Sequence, residues 1–129
     1  MTAQRMVLDT DVVIDLLKKK PDVVAQFLAF VESKTIFLVS PVVVAEIYAG
    51  AFEREHKAIE AFFRLCQQVD LDGETGRTAG LYAKRFSKAF QGISLEDFLL
   101  AATARGQQCP LWTHNRKHYP MDDVVLFGT

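Results

Sequence analysis

Two carboxylates that follow the first apolar run constrain the fold of this chain more than any other feature of its sequence. Residues 6–13 read MVLDTDVV, so Asp9 and Asp11 stand between two apolar stretches. A carboxylate that leaves water costs free energy unless a cation or hydrogen-bond donors compensate it. The pattern therefore predicts a short buried strand with Asp9 at its carboxyl end, where the chain opens onto a polar site.

Apolar runs and helical patterns alternate along the rest of the chain. The apolar runs predict five short strands, at residues 5–8, 35–40, 68–71, 109–113 and 124–127. Alternating strands and helices form a parallel sheet that is covered by helices on both faces. We therefore predict an α/β fold. Ligands of such sheets bind outside the carboxyl ends of the strands, which is where Asp9 is predicted to lie.

Capping signals predict where the helices begin and end. Ser40 precedes a proline, which is the pattern of an N-cap followed by proline at the first helical position. Asp72 is the predicted cap of a long helix that runs through Gln91. The sequence SLED at residues 94–97 is a capping-box pattern, and the helix that it opens is predicted to end at Gly106.

Size and composition indicate one domain spanning residues 1–129. Half of the 129 residues are hydrophobic, which suits one compact core. The net charge of −1 argues against a general affinity for nucleic acid, so any such affinity would be local to a site. Two cysteines are too few for a disulfide framework, and aspartates interrupt the only apolar stretch near the N-terminus. We therefore expect a soluble, cytoplasmic domain with no membrane partner.

Two further acids, Glu46 and Asp97, lack a basic partner at helical spacing. Glu46 lies on an apolar helical stretch, and a lone glutamate on a buried helix has to bind a proton or a cation. Asp97 is the fourth residue of SLED, so it serves either as a cap alone or as a cap and a ligand together, and neighbouring Glu96 is able to exchange roles with it. Asp9 has the same plain alternative, because it is placed to cap the first helix.

Several carboxylates at the carboxyl edge of a parallel sheet form an oxygen-rich site. Oxygen ligands suit Mg²⁺ or Mn²⁺. Such ions polarise a phosphoryl oxygen, lower the pKa of an attacking water and stabilise the leaving oxygen of an in-line displacement. We therefore predict a divalent metal site whose ligands are Asp9, Glu46 and Asp97.

Four stretches of the chain, taken in order, resemble the PIN-domain proteins of the VapC-like toxin ribonuclease class. They are VLDTDVVIDLL, SPVVVAEIYAGA, ISLEDFLLAATA and LWTHNRKHYP, and the resemblance covers nearly the whole chain. It implies a three-layer α/β/α sandwich around a five-stranded parallel sheet. It also implies an endoribonuclease that depends on Mg²⁺ or Mn²⁺, hydrolyses RNA, forms a homodimer and is masked by a cognate antitoxin.

The resemblance assigns roles to individual residues. The catalytic set that it implies is Asp9, Glu46, Asp97 and Asn115. Thr113 and Asn115 fall on the last motif, where a fourth acid often stands, and an asparagine brings no charge. Asp11 falls where a small polar residue is common and is the candidate for the missing charge, so the number of metals, one or two, stays open.

Two kinds of surface are predicted for partners. Arg116, Lys117 and His118 follow the last motif, where they are placed to hold RNA phosphates. The aromatic segments AQFLAFV at residues 25–31 and AFFRLC at residues 61–66 carry more apolar surface than a lone domain needs. We expect these segments to supply the surface for the homodimer and the antitoxin.

Two alternative functions come from other classes of protein. The stretch VLDTDVV also fits the signature of haloacid-dehalogenase-like phosphatases, in which Asp9 would be a nucleophile and Asp11 a general acid. That interpretation gives Glu46 no role, and the acidic pair at residues 122–123 precedes an apolar run instead of following one. The second alternative is a non-catalytic interaction domain, which the uncharged Asn115 keeps open.

Overall fold

Five parallel strands form a single sheet in the computed structural model of this chain, which describes residues 4–128. The strands are β1 (Arg5–Leu8), β2 (Ile36–Val39), β3 (Gln67–Gln68), β4 (Leu111–Trp112) and β5 (Leu126–Phe127). Their order in the sheet is β3-β2-β1-β4-β5, and every pairing is parallel. The predicted sheet is confirmed, with its last four strands shorter than expected. The predicted domain bounds at residues 1 and 129 lie outside the described range.

Helices cover both faces of the sheet. They are α1 (Thr10–Leu17), α2 (Pro21–Glu32), α3 (Pro41–Ala49), α4 (His56–Phe63), α5 (Gly73–Phe86) and α6 (Leu95–Gln107). Met6, Val7 and Leu8 are all buried although successive side chains of a strand point to opposite faces, so neither face of β1 is open to water. The α/β/α arrangement is therefore confirmed. None of the helices within residues 4–128 is long and apolar enough to span a bilayer.

The aromatic residues of α2 belong mainly to the core. Phe27 stacks on Phe37 of β2 with a centroid distance of 4.5 Å, and Phe30 packs edge-on against Trp112 of β4 at 5.4 Å. Leu28 and Val31 are the large apolar residues of this segment that stay exposed. The sheet uses the two rings for its own packing, so the expectation that this segment supplies surface for partners stays a prediction that rests on Leu28 and Val31.

Helix starts follow the sequence more closely than helix ends. The hydroxyl oxygen of Ser40 accepts a hydrogen bond from the Val42 N–H at 3.1 Å, as predicted. The helix α5 ends at Phe86, earlier than the predicted Gln91, and in the turn that follows the Phe90 N–H donates to the Phe86 carbonyl at 2.9 Å. The helix α6 continues past the predicted stop, because the left-handed turn that ends it falls at residue 108.

The left-handed residue Gln108 generates a prediction about stability. Gln108 has a φ of +55°, a conformation in which the β-carbon of an L-residue is crowded and glycine is not. Gln108→Gly should raise the free energy of unfolding by roughly 1 kcal/mol, measured by denaturant unfolding. Gln108→Ala is the control, since it removes the side chain but keeps the β-carbon, and it should give no comparable gain. An equal gain from both variants would contradict the explanation.

Candidate metal centre

The site lies where the strand order reverses. Asp9 directly follows β1, Thr113 directly follows β4, and these two strands are neighbours. The backbone N–H of Asp9 donates to the Trp112 carbonyl at 3.0 Å, which extends the ladder to the edge of the sheet. The strands β2 and β3 lie on one side of β1, and the later strands β4 and β5 lie on its other side. Ligands of open α/β sheets bind at such a switch point.

Asp9 is a buried carboxylate surrounded by hydrogen-bond donors. Its side chain is 7% exposed, and its Oδ1 atom accepts a hydrogen bond from the Thr10 N–H at 2.7 Å. Its Oδ2 atom accepts from the hydroxyl groups of Thr113 and Tyr119, each at 2.8 Å. Burial raises the pKa of Asp9, the nearby charge of Asp97 raises it further, and the hydrogen bonds offset part of this effect. Asp9 therefore caps α1 and also faces a second carboxylate.

Asp97 faces Asp9 from the first turn of α6. It completes the predicted capping box with Ser94, whose N–H donates to its Oδ2 atom at 3.1 Å. Its Oδ1 atom lies 3.4 Å from the Tyr119 hydroxyl, and its Oδ2 atom lies 3.0 Å from His118 Nδ1. Glu96 next to it is exposed, with no contact to this group of side chains. The structure thus brings Asp97, and not Glu96, to the site.

Asp11 lies in the first turn of α1 beside Asp9. Its Oδ2 atom accepts a hydrogen bond from the His114 N–H at 3.1 Å, which ties α1 to the segment after β4. Within residues 4–128, its buried Oδ1 atom has no hydrogen-bond partner. Burial raises the pKa of Asp11 to about 6, and the charge of Asp9 adds to the shift. An orphaned carboxylate oxygen with a raised pKa is typical of a site that takes a proton or a cation.

Glu46 joins the group from α3 through Thr10. Its Oε1 atom accepts a hydrogen bond from the Thr10 hydroxyl at 2.8 Å, while the N–H of the same Thr10 donates to Asp9. The sequence argument placed Glu46 on a buried helix face, and this was wrong, because Glu46 is exposed. The buried residues of α3 are Val43 and Ile47, which lie three positions before it and one after it. Glu46 therefore lies close to the acidic group, and because it is exposed, its charge needs no buried cation to balance it.

Only some residues of the last predicted motif contact the acids of the site. Thr113 is fully buried and joins Asp9 to the backbone N–H of Asn115, which donates to its hydroxyl oxygen at 3.0 Å. His118 reaches Asp97, as described above. Arg116 instead donates to the Gly128 carbonyl at 2.8 Å, and Lys117 is exposed. Of the three predicted phosphate contacts, only His118 is in contact with the carboxylates.

Tyr119 is the residue of the site that the sequence analysis missed. It is 3% exposed, and its hydroxyl lies between Asp9 and Asp97. It stands inside LWTHNRKHYP, one of the stretches that carry the family resemblance. Nothing in the polar stretch before Tyr119 marks it as a site residue, and only the position of the two carboxylates in space shows what its hydroxyl contacts.

The chemistry of the side chains fits a hard divalent cation. Every acidic group near the sheet edge offers oxygen, and no lysine or arginine in residues 4–128 forms an ion pair with Asp9, Asp11 or Asp97. As they stand, no three His, Cys, Asp or Glu side chains of the described residues converge on one ion position. The structure therefore brings the acids together without forming a complete set of metal ligands.

Comparison with known proteins gives one family. The model of the PIN domain matches residues 6–124. The ribonuclease VapC19 of Mycobacterium tuberculosis is 31% identical over 114 residues, which are 88% of this chain and 91% of that protein. A chain of VapBC2 from Rickettsia felis, solved bound to a promoter DNA fragment, superposes with a TM-score of 0.84 at 18% identity. A chain of VapBC-1 from nontypeable Haemophilus influenzae gives 0.82 at 22% identity, and each comparison covers 97% of this chain and 98% of the other.

The raised pKa of Asp11 predicts how stability depends on pH without metal. The folded protein holds this proton more tightly than the unfolded chain, whose value is 3.8, so stability is lost as the pH rises from about 4 through 6. In chelator at neutral pH, Asp11→Asn should therefore be more stable than the natural protein by roughly 1–2 kcal/mol. The gain should disappear near pH 4, as measured by thermal melting across this range.

The exposed residue Asp122 provides the control for this experiment. Asp122→Asn makes the same chemical change outside the site, and its melting curve should run parallel to that of the natural protein at every pH. A gain from Asp11→Asn that did not change with pH would show that the ionised carboxylate is not its source.

Proposed function

This chain belongs to the PIN domain family, and we propose that it is an endoribonuclease that depends on Mg²⁺ or Mn²⁺ and acts as the toxin of a toxin–antitoxin pair. The observation that carries the proposal is the buried Asp9, which faces Asp97 at the switch point of the sheet. The 31% identity to a VapC ribonuclease supports the same activity. The phosphatase alternative loses its basis, because the family match spans residues 6–124.

We propose Asp9, Asp97 and Glu46 as the residues that hold the metal. When bound there, Mg²⁺ or Mn²⁺ supplies the polarisation of a phosphoryl oxygen and the lowered pKa of an attacking water. The protein fixes the carboxylates in advance: Thr113 and Tyr119 hold Asp9, and the capping box holds Asp97. Such second contacts orient ligands and tune the affinity of a metal site.

Asp11 and Asn115 decide how much charge the site carries. We propose that Asp11 supplies the charge that Asn115 lacks, since its Oδ1 atom is buried and has no hydrogen-bond partner within residues 4–128. Asn115 contributes through its backbone N–H to Thr113, and its uncharged side chain is available to an RNA oxygen or to a water. The number of ions, one or two, follows from whether Asp11 acts as a ligand.

Substrate contacts are proposed on the exposed side of the acids. Glu46 is exposed, so the acidic group is open to a phosphodiester from the α3 side. His118 is near the same group, and Lys117 is exposed on the short helix Arg116–His118. We propose that these two residues contact RNA phosphates, whereas Arg116 is engaged with the Gly128 carbonyl.

Glu46 gives the cleanest test of the proposed activity. Glu46→Gln keeps the acceptor for the Thr10 hydroxyl but removes the charge, so RNA cleavage with Mn²⁺ should fall by roughly two orders of magnitude or more. Because Glu46 is exposed, the free energy of unfolding should change by no more than about 0.5 kcal/mol. The measurements are cleavage of total RNA by purified protein and thermal melting. Excess chelator should abolish cleavage by the natural protein.

Two controls separate charge from structure in this experiment. Glu60 is an exposed glutamate on α4, and Glu60→Gln should cleave RNA normally. Ser94→Ala removes the hydroxyl that accepts from the Asp97 N–H but keeps the backbone N–H that holds the Asp97 carboxylate, so it should cost about 1 kcal/mol of stability and retain cleavage. Cleavage that persists in chelator, or in Glu46→Gln, would falsify the proposed metal site.

An apolar groove beside Glu46 is the surface that we propose for the antitoxin. It has a volume of about 500 Å³ and opens between α1, α3 and α4, and its apolar lining residues are Ile14, Leu17, Ile47, Ala51, Ala58 and Ile59. Since Glu46 lines the groove, an apolar segment bound there would also cover the acidic group.

We further propose a homodimer, and native mass spectrometry that finds only monomer at micromolar concentration would contradict it.

Ile14 tests the proposed antitoxin surface. It is 38% exposed and lines the groove, so Ile14→Lys places a charge there with little change in the core. The affinity for a candidate antitoxin encoded beside this gene, measured by titration calorimetry, should fall roughly tenfold or more. Leu81→Lys is the control, because Leu81 is an exposed leucine on α5 outside the groove. An equal loss of affinity in both variants would move the binding surface away from the groove.

A further inference from the structure

The hydroxyl of Tyr119 occupies an unusual position between two acids. The ring is buried, and its oxygen lies 2.8 Å from Asp9 Oδ2 and 3.4 Å from Asp97 Oδ1. A phenol hydroxyl keeps its proton at neutral pH, because its ordinary pKa is about 10. The group is therefore a neutral donor placed against two negative charges.

The single proton of the Tyr119 hydroxyl faces two carboxylate acceptors. A phenol has a single O–H, and the 2.8 Å contact to Asp9 uses it. The 3.4 Å contact to Asp97 is longer than an ordinary O–H···O hydrogen bond and leaves that oxygen poorly satisfied. One proton cannot neutralise two carboxylates, so the two acids on either side of the hydroxyl still repel each other. Tyr119 thus offsets only part of the cost of bringing these carboxylates together.

We propose that Tyr119 is a positioning residue that stands in for the cation in the metal-free protein, holding Asp9 and Asp97 together until the ion replaces it. The inference rests on the proposed function, because it takes both acids as metal ligands. A divalent cation balances the same two carboxylates far more completely than one shared proton does. The hydroxyl therefore contributes most to the stability of the metal-free state and competes with the ion for the Asp9 oxygen.

Tyr119→Phe separates these two effects, because it removes only the hydroxyl. In chelator, the melting temperature should fall by roughly 5 °C, since two buried carboxylates lose their shared donor. The dissociation constant for Mn²⁺, measured by titration calorimetry on the protein without RNA, should fall by roughly five- to tenfold. A residue that only packs in the core would lower the melting temperature without tightening Mn²⁺ binding.

Tyr82→Phe is the matched control. Tyr82 is also a buried tyrosine that donates to a carboxylate, Asp123 Oδ1 at 2.8 Å, but this pair belongs to α5 and the segment before β5. This variant should lower the melting temperature and leave the dissociation constant for Mn²⁺ unchanged. Tighter Mn²⁺ binding by both variants would overturn the proposal, as would weaker or unchanged binding by Tyr119→Phe.

A double-mutant cycle tests the same inference without metal. If Tyr119 acts by balancing two charges, its hydroxyl should matter less once Asp97→Asn has removed one of them. The drop in melting temperature caused by Tyr119→Phe should then be at least halved in the Asp97→Asn background. An equal drop in both backgrounds would assign the hydroxyl a packing role alone and overturn the proposal.

Failure of the proposed function gives a different result from failure of this inference. If the natural protein bound no Mn²⁺ and cleaved no RNA, the metal site would be wrong and both proposals would fall. If the natural protein bound Mn²⁺ and cleaved RNA, but Tyr119→Phe bound the ion no more tightly, only the role of Tyr119 would be overturned.

Discussion

The cost of burying the Asp9 carboxylate organises the site and the sheet edge around it. Asp9 ends the central strand, so its charge has to be met by donors that the protein brings to it. Those donors come from separate parts of the chain: the backbone of Thr10, the hydroxyl of Thr113 and the hydroxyl of Tyr119. Together they fix the start of α1, the end of β4 and the segment beyond it. The sheet order makes this possible, because β1 and β4 are neighbours in space although they are far apart in sequence.

The acids of the site are graded from buried to exposed, and this grading has a chemical use. Asp9 is buried, Asp97 is partly buried and Glu46 is exposed. Buried carboxylates in a low dielectric attract a cation strongly, while an exposed one leaves room for a large polyanion to approach. Thr10 links the two ends of this series, since its N–H donates to Asp9 and its hydroxyl donates to Glu46. Thr10, in the first turn of α1, thus links the buried part of the site to its exposed part.

Local signals predicted the fold well and the site only in part. The alternation of apolar runs with capped helices was enough for the parallel sheet, because each element is specified by its own few residues. The exposure of Glu46 was not predictable in this way: α3 is apolar almost all round, so its sequence does not tell which face is covered. The role of Tyr119 depends on Asp9 and Asp97, which only the folded chain brings together. The stop of α6 was missed because Gln108, a residue with no such preference, adopts the left-handed turn.

The role that we propose for Asp11 places part of the charge of the site on α1. The resemblance places a fourth acid near Asn115, on the segment after β4, but this chain carries an amide there. The charge stands instead on the first turn of α1, where the positive end of the helix dipole partly compensates it. The hydrogen bond from the His114 N–H holds Asp11 against the segment that carries Asn115. The buried Oδ1 atom of Asp11, which has no hydrogen-bond partner within residues 4–128, therefore lies beside the segment of Asn115, and this geometry is the basis of the proposal that Asp11 supplies the charge that Asn115 lacks.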